Sequence, residues 1–161
     1  MRMPVIIRDE IKEGYVNTFG VRHDELPSDT NGLVTDFFFQ LVNQYLAGNI
    51  SVFIEAAFQH KVWEPRMHSI IELADVWMIL CSAPDTVTSN RPIERGLNDP
   101  DREFYHGDHR VVHYKKTSEI LIPADYEPPK FNVVTIEVST DGDYVPSIDQ
   151  IVKKIRSSVD R

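Results

Sequence analysis

Two carboxylates in this chain each stand at the end of a short, near-continuous apolar run. Asp9 ends Pro4-Val5-Ile6-Ile7-Arg8-Asp9, and Glu55 follows Val52-Phe53-Ile54. Runs of this kind separated by helical patterns read as strands of a parallel sheet covered on both faces. Chemistry in such sheets lies beyond the carboxyl ends of the strands, which is where both acids fall. An ionised Glu55 at the end of a buried strand is expensive unless it is paired, metal-bound or hydrogen-bonded to a helix start. Asp9 is also the residue type that caps a helix N-terminus. Lys12 lies one helical turn beyond it. Arg91 and Arg95 have i,i+4 spacing, which puts two guanidinium groups on one helix face. Pro92 between them breaks that picture, so Arg91 is expected to end one helix and Arg95 to open another.

The remaining reactive residue types give weaker signals. His106, Asp108, His109 and His113 are close in sequence, but no scaffold defines a zinc site from them, and no metal is expected. Cys81 sits in Val76-Trp77-Met78-Ile79-Leu80-Cys81, where a buried core thiol is the expectation. No G-x-S-x-G nucleophile signature is present.

The elements that position these residues follow from periodicity. Strands are expected at Val5 to Ile7, Val52 to Ala57, Val76 to Cys81 and Phe131 to Ser139. A short helix should cover Ile11 to Val16, and a connection should run from Thr18 to Asn31. Gly32 to Ala47 reads as a helix with two adjacent apolar lines, Leu33/Phe37/Leu41/Tyr45 and Val34/Phe38/Val42/Leu46. Asn31 or Thr30 suits its cap and Gly48 its end. Pro65 reads as the first residue of a helix reaching Ala74, with Met67, Ile70, Ile71 and Ala74 inward. Ser147-x-x-Gln150 is a capping box for a last helix with Ile148, Ile151, Val152 and Ile155 inward.

At 161 residues the chain is most simply one domain, residues 1–161, with about 90–128 as a lid and irregular flap. Its net charge, 17 − 25 = −8, argues against general affinity for nucleic-acid backbone or anionic membranes. No apolar segment approaches the ~20 residues that span a bilayer. A lone cysteine rules out an intrachain disulfide framework and fits the cytoplasm.

Several segments, taken in order, resemble a family. Pro4 to Gly14 looks like the second strand of small P-loop kinases of the polynucleotide-kinase and chloramphenicol-phosphotransferase kind. Val52 to Phe58 resembles their next strand. Arg91-Pro92-Ile93-Glu94-Arg95-Gly96 and Phe104-Tyr105-His106-Gly107-Asp108 resemble the arginine-bearing lid, and the segment after it, in predicted ATPases of this group. The resemblance spans roughly residues 4–157. It implies a three-layer α/β fold with a mostly parallel sheet and helices on both faces. It assigns Asp9 as the base that receives the proton of an attacking hydroxyl, and Arg8 and Lys12 to the acceptor. It assigns Glu55 to orient water on Mg²⁺, and Arg91 and Arg95 to the lid.

One departure limits the resemblance. None of the seven glycines begins G-x-x-x-x-G-K-[ST], whose backbone amides and lysine hold the ATP phosphates. Only three residues precede Pro4, so the expectation is a chain without the family's first strand, phosphate loop and first helix. Two functions are compatible with that. One is an ATP-dependent phosphotransferase on a small hydroxylated acceptor, with ATP and Mg²⁺ bound only if the phosphate loop is restored. The other is a non-catalytic remnant or interaction module using exposed sheet edges, a homodimer included. The sheet is expected to close directly, placing Val52–Phe58 beside Val76–Cys81.

Overall fold

The computed structural model describes residues 2–99, 101–122 and 125–159. Their order is β1 (Val5–Ile7), α1 (Arg8–Phe19), a 3₁₀ turn (His23–Glu25), α2 (Thr30–Ala47), β2 (Phe53–Glu55) and α3 (His60–Leu73). Then come β3 (Trp77–Ser82), α4 (Asp85–Asn98), α5 (Asp101–His106), α6 (His109–Thr117), β4 (Val134–Ser139) and α7 (Ile148–Val159). The fold is mixed α/β with short parallel strands. It divides into two compact units, residues 2–57 with 89–122 and residues 58–88 with 125–159.

In the first unit β1 and β2 pair in parallel, with Val5 opposite Phe53, Ile6 opposite Ile54 and Ile7 opposite Glu55. The two helices between these strands supply the core. Val34, Phe38 and Val42 recur every four residues on α2 and are buried with Val16 of α1 and Ile6 of β1. The Leu33/Phe37/Leu41/Tyr45 line is covered only in part: Leu33 is 50% and Phe37 44% exposed, while Leu41 and Tyr45 are half-buried. Helix α1 runs past the expected end at Val16. Asn17 Nδ2 and Thr18 Oγ1 donate to the carbonyls of Glu13 and Gly14, and the chain turns at Gly20, whose φ of 66° is left-handed. The stretch 18–31 is accordingly the end of a helix, a 3₁₀ turn and the start of α2. Asp29 takes the N-cap position of α2 without a side-chain bond.

The stretch expected to be an irregular flap is largely helical, although residues 100, 123 and 124 lie outside the described ones. Helix α4 passes through Pro92 unbroken, so Arg91 and Arg95 share one helix. Pro92 removes one backbone donor but is itself buried, and that packing holds the helix together. Gly96 lets α4 lie against α6, because a Cβ there would sit 2.8 Å from both Val111 methyls.

In the second unit β3 and β4 pair in parallel over six residues, Trp77 to Ser82 against Val134 to Ser139. Ile136, Val138 and Ile151 form a core against which Trp77, Ile79 and Ile155 pack. The capping box of α7 is formed as expected. Ser147 N–H donates to Gln150 Oε1 at 2.8 Å, and Gln150 N–H to Ser147 Oγ at 3.4 Å. Ile148, expected inward, is 60% exposed. Helix α3 begins at His60, so Pro65 lies within it. Its first turn is tied down from outside: His60 N–H donates to Glu127 O, and Lys130 N–H to His60 Nδ1. Cys81 is exposed, contrary to the expected buried thiol.

The expected direct closure is not formed. β2 pairs with β1 and β3 with β4, as two separate two-stranded sheets among the described residues. Each run finds its parallel partner inside its own unit, and β2 stops after three residues. Among the described residues no helix is long and apolar enough to cross a membrane.

Candidate functional site

The register of β1 and β2 decides where chemistry can occur. With Ile7 opposite Glu55, both strands end at one level, and Arg8 and Asp9 come immediately after as the first residues of α1. Asp9 is not the helix cap. Ile7 holds that position, with no side-chain bond to the first turn, so the capping reading of Asp9 is displaced. Helical spacing then puts Asp9, Lys12 and Glu13 on one side of α1.

These residues line a cleft of about 200 Å³, together with Arg8, His23, Tyr105 and His106. The Arg8 guanidinium bonds Asp9 Oδ1 through Nη1 at 3.0 Å and Asn31 Oδ1 of α2 through Nη2 at 2.9 Å. The His106 ring stands between two carboxylates. Its Nδ1 lies 3.3 Å from Glu13 Oε1 and its Nε2 lies 3.9 Å from Asp9 Oδ2. His23 stacks near His106 with ring centroids 6.5 Å apart. Burial holds the His23 imidazole below its usual range, helped by Lys12, His106 and Arg8 and opposed by Asp24.

Lys12 is the unusual member. It is 7% exposed, and among the described residues its ammonium has no hydrogen bond or ion pair. Burial first, and then Arg8, pushes its pKa below the usual 10.5, with Asp9 opposing. A buried charge without a close partner is costly. An anion in the cleft would relieve that cost.

The walls are built from distant segments. Gly107 has φ of 60°, and a Cβ there would strike the His23 ring, so glycine is required both by conformation and by contact. Glu103 of α5 accepts from Arg22 at 3.4 Å and from Lys115 of α6 at 2.7 Å, which ties the 3₁₀ turn, α5 and α6 together. Asp108 caps α6 by accepting from Arg110 N–H at 3.0 Å and is clamped by the Arg110 side chain at 2.9 and 2.7 Å. Burial raises the Asp108 pKa, but the bonds from Arg110 outweigh it and hold the carboxyl below the usual range.

Of the sequence-derived candidates, Arg8, Asp9 and Lys12 meet in this cleft. Glu55 does not line it, although it stands near enough to sense Asp9. Burial raises the Glu55 pKa first, with the charges of Asp9 and Glu10 adding to it. As a whole residue Glu55 is exposed all the same, at the end of a three-residue strand and not the buried one expected. Arg91 and Arg95 lie outside the cleft lining as well, and Arg95 Nε donates to the Arg91 carbonyl at 3.3 Å. His106, Asp108, His109 and His113 are not gathered. His106 faces α1, Asp108 caps α6, and His113 faces Glu119. Among the described residues no group of three or more His, Cys, Asp or Glu is placed to hold a metal.

Sequence reasoning missed Glu13, His23, Tyr105 and His106 as cleft residues. Glu13 was findable, one turn from Asp9 on the same face. Nothing in the local pattern points from His23 to His106.

No protein-family model matches this chain, and no curated protein does. Its fold is similar to the crystal structure of a "putative kinase" from Chloroflexus aurantiacus J-10-fl. The TM-score is 0.70 at 18% identity, over 97% of this chain and 84% of that one. At that identity the likeness is one of fold, on which different functions are carried.

Proposed function

We propose that this chain carries the acceptor-binding side of a kinase-like phosphotransferase, with Arg8 and Lys12 holding an anionic, hydroxyl-bearing small molecule and Asp9 receiving the hydroxyl proton. One observation carries the reading: a largely buried Lys12, whose ammonium has no partner among the described residues, in the same cleft as a carboxylate at a strand end. A general base must lie within reach of the proton it takes, and an anion seated on Lys12 brings its neighbouring hydroxyl toward Asp9. The three-layer, P-loop-like arrangement belongs to this proposal; the parallel pairing within each sheet supports it, and the similarity of fold to the Chloroflexus protein supports its kinase-like part alone.

The residues present do not fit a nucleoside triphosphate by themselves, because the 161 residues contain no G-x-x-x-x-G-K-[ST] cradle. ATP and Mg²⁺ therefore enter the proposal only with a phosphate loop supplied from outside these residues. Glu55 would then orient water on Mg²⁺, and Arg91 and Arg95 would serve as the lid. A second reading, a non-catalytic remnant or interaction module, is favoured by that same missing cradle and by sheet edges left unpaired among the described residues.

Two measurements test the proposal. Titration with inorganic phosphate should show binding that Lys12→Met abolishes, and no binding to the parent chain would remove the anion site. An ADP-release assay over hydroxylated phosphoesters, with any in-frame phosphate loop upstream included, should find turnover that Asp9→Asn lowers ~10²–10⁴-fold. An unchanged rate in a folded Asp9→Asn protein would remove Asp9 from the mechanism.

A further inference from the structure

We propose that His106 is a positioning residue for Asp9, its ring tautomer set by Glu13 so that a proton taken up by Asp9 is shared with His106 Nε2. The inference rests on the reading of Asp9 as the base of the proposed reaction. It begins from two carboxylates four residues apart on α1, a spacing at which like charges repel. The His106 imidazole enters between them, with Nδ1 toward Glu13 and Nε2 toward Asp9.

The two contacts are not equivalent. Glu13 Oε1, at 3.3 Å, is within hydrogen-bond distance of Nδ1, whereas Asp9 Oδ2, at 3.9 Å, is outside that distance from Nε2. A neutral imidazole carries one N–H and one lone pair. Glu13 accepts the hydrogen, so Nδ1 bears it and the lone pair of Nε2 faces Oδ2. The other Asp9 oxygen, Oδ1, is taken by Arg8. Two acceptors thus face one another, and a single proton satisfies both once a side-chain adjustment closes the 3.9 Å separation to hydrogen-bond distance.

The step balances within the cleft. A proton accepted by Asp9 from a bound hydroxyl leaves Oδ2 as its O–H bond breaks and arrives at Nε2 as the N–H bond forms. The carboxylate is regenerated, and the imidazolium stands between two carboxylates, with the ring partly open to water for discharge. The ring is held in place from behind. His106 ends α5, Gly107 comes next in a left-handed turn against His23, and His23 stacks on His106. The other ionisable groups facing the ring are Arg8 and Lys12 of α1, His23 of the 3₁₀ turn and Tyr105 of α5.

Nitrogen-15 imidazole correlation spectra test this on the chain itself at pH 8.5 without added phosphate, with His106→Gln identifying the His106 signals. The parent should show the Nδ1–H tautomer. Glu13→Ala, a substitution at a partly exposed site, should convert the signal to mainly Nε2–H, the form imidazole prefers in water. An Nε2–H tautomer in the parent, or an unchanged tautomer in Glu13→Ala, overturns the inference. A parallel titration with inorganic phosphate separates it from the reading it rests on. A parent with Nδ1–H that binds no phosphate keeps the His106 geometry and removes the acceptor site. A parent that binds phosphate with Nε2–H does the reverse.

Discussion

Replacing Lys12 by Met should stabilise this protein while removing the capacity proposed for it. The substitution keeps an unbranched side chain of similar length and deletes the ammonium. Leaving a buried polar group without a partner costs ~1–3 kcal/mol, and a charged one more. Asp9 is close enough to offset part of that, as the opposing directions acting on Lys12 indicate. The net gain on removal should be ~1–2 kcal/mol, or roughly 2–8 °C in Tm for a chain of this size. The pH dependence comes from the direction of the shift. Below its lowered folded-state pKa, Lys12 is charged in both states and its penalty is complete. Between that value and the usual 10.5 the unfolded chain binds more protons, so stability rises with pH. Above 10.5 the penalty has gone. The Met variant should therefore melt higher than the parent at pH 7 and the two should converge near pH 11. Phosphate should invert the order at pH 7, since a ligand at 100 times its Kd adds ~2.7 kcal/mol to the form that binds it. Paired melts with and without phosphate make the test. A Met variant less stable at pH 7 without phosphate, or one that phosphate stabilises as much as the parent, would refute the reasoning.

Gly107→Ala should lower the urea midpoint by the equivalent of ~1–3 kcal/mol, because its φ of 60° is strained for any L side chain and its Cβ meets the His23 ring. A midpoint equal to the parent's would show that the α5–α6 turn is not fixed as described. Ser147→Ala should destabilise by ~0.5–2 kcal/mol, and Gln150→Ala should then add little, since both bonds belong to one cap. Strict additivity in that cycle would break the capping-box reading. Glu55→Gln should raise Tm at pH 7 and leave it unchanged near pH 3.5. Burial, with Asp9 and Glu10, raises the folded-state pKa of Glu55, so stability falls as pH rises from 4.5 through that higher value. An equal effect at both pH values would trace it to something other than charge.

The features legible in the sequence were local. The α7 cap is written in two residues three apart, and both bonds are present. The core line Val34, Phe38, Val42 is a period of four read directly from the chain. Errors arose where a tertiary contact overrode a local rule. Pro65 reads as a helix start, yet the bonds that His60 donates to Glu127 and accepts from Lys130 fix the first turn five residues earlier. Pro92 reads as a break, yet its burial keeps α4 whole. The site divides in the same way. Arg8, Asp9 and Lys12, which the resemblance assigns, lie together because one strand end and one helical turn place them so. His23 and His106 approach only because the 3₁₀ turn and α5 are tied through Arg22 and Glu103, a contact 81 residues apart in the chain.

The arrangement of acids is itself an argument for a charged ligand. Parallel pairing of β1 with β2 places Asp9, Glu10 and Glu55 at one strand end, and the Glu55 pKa is raised by burial first, with the charges of Asp9 and Glu10 adding to it. On the same helix, one turn on, the largely buried Lys12 has no partner among the described residues. A chain selected only for stability would pair the lysine with one of those acids. Instead Asp9 is held by Arg8, Glu13 faces His106, and Lys12 is left open to the cleft. An ammonium left without a partner among the described residues and an Asp9 oxygen facing the His106 ring beyond hydrogen-bond distance, with the possible partners occupied elsewhere, are the kind of local inconsistencies expected at functional sites. An anion on Lys12 and a proton between Asp9 and His106 would resolve them together, which is why the two are proposed as parts of one chemistry.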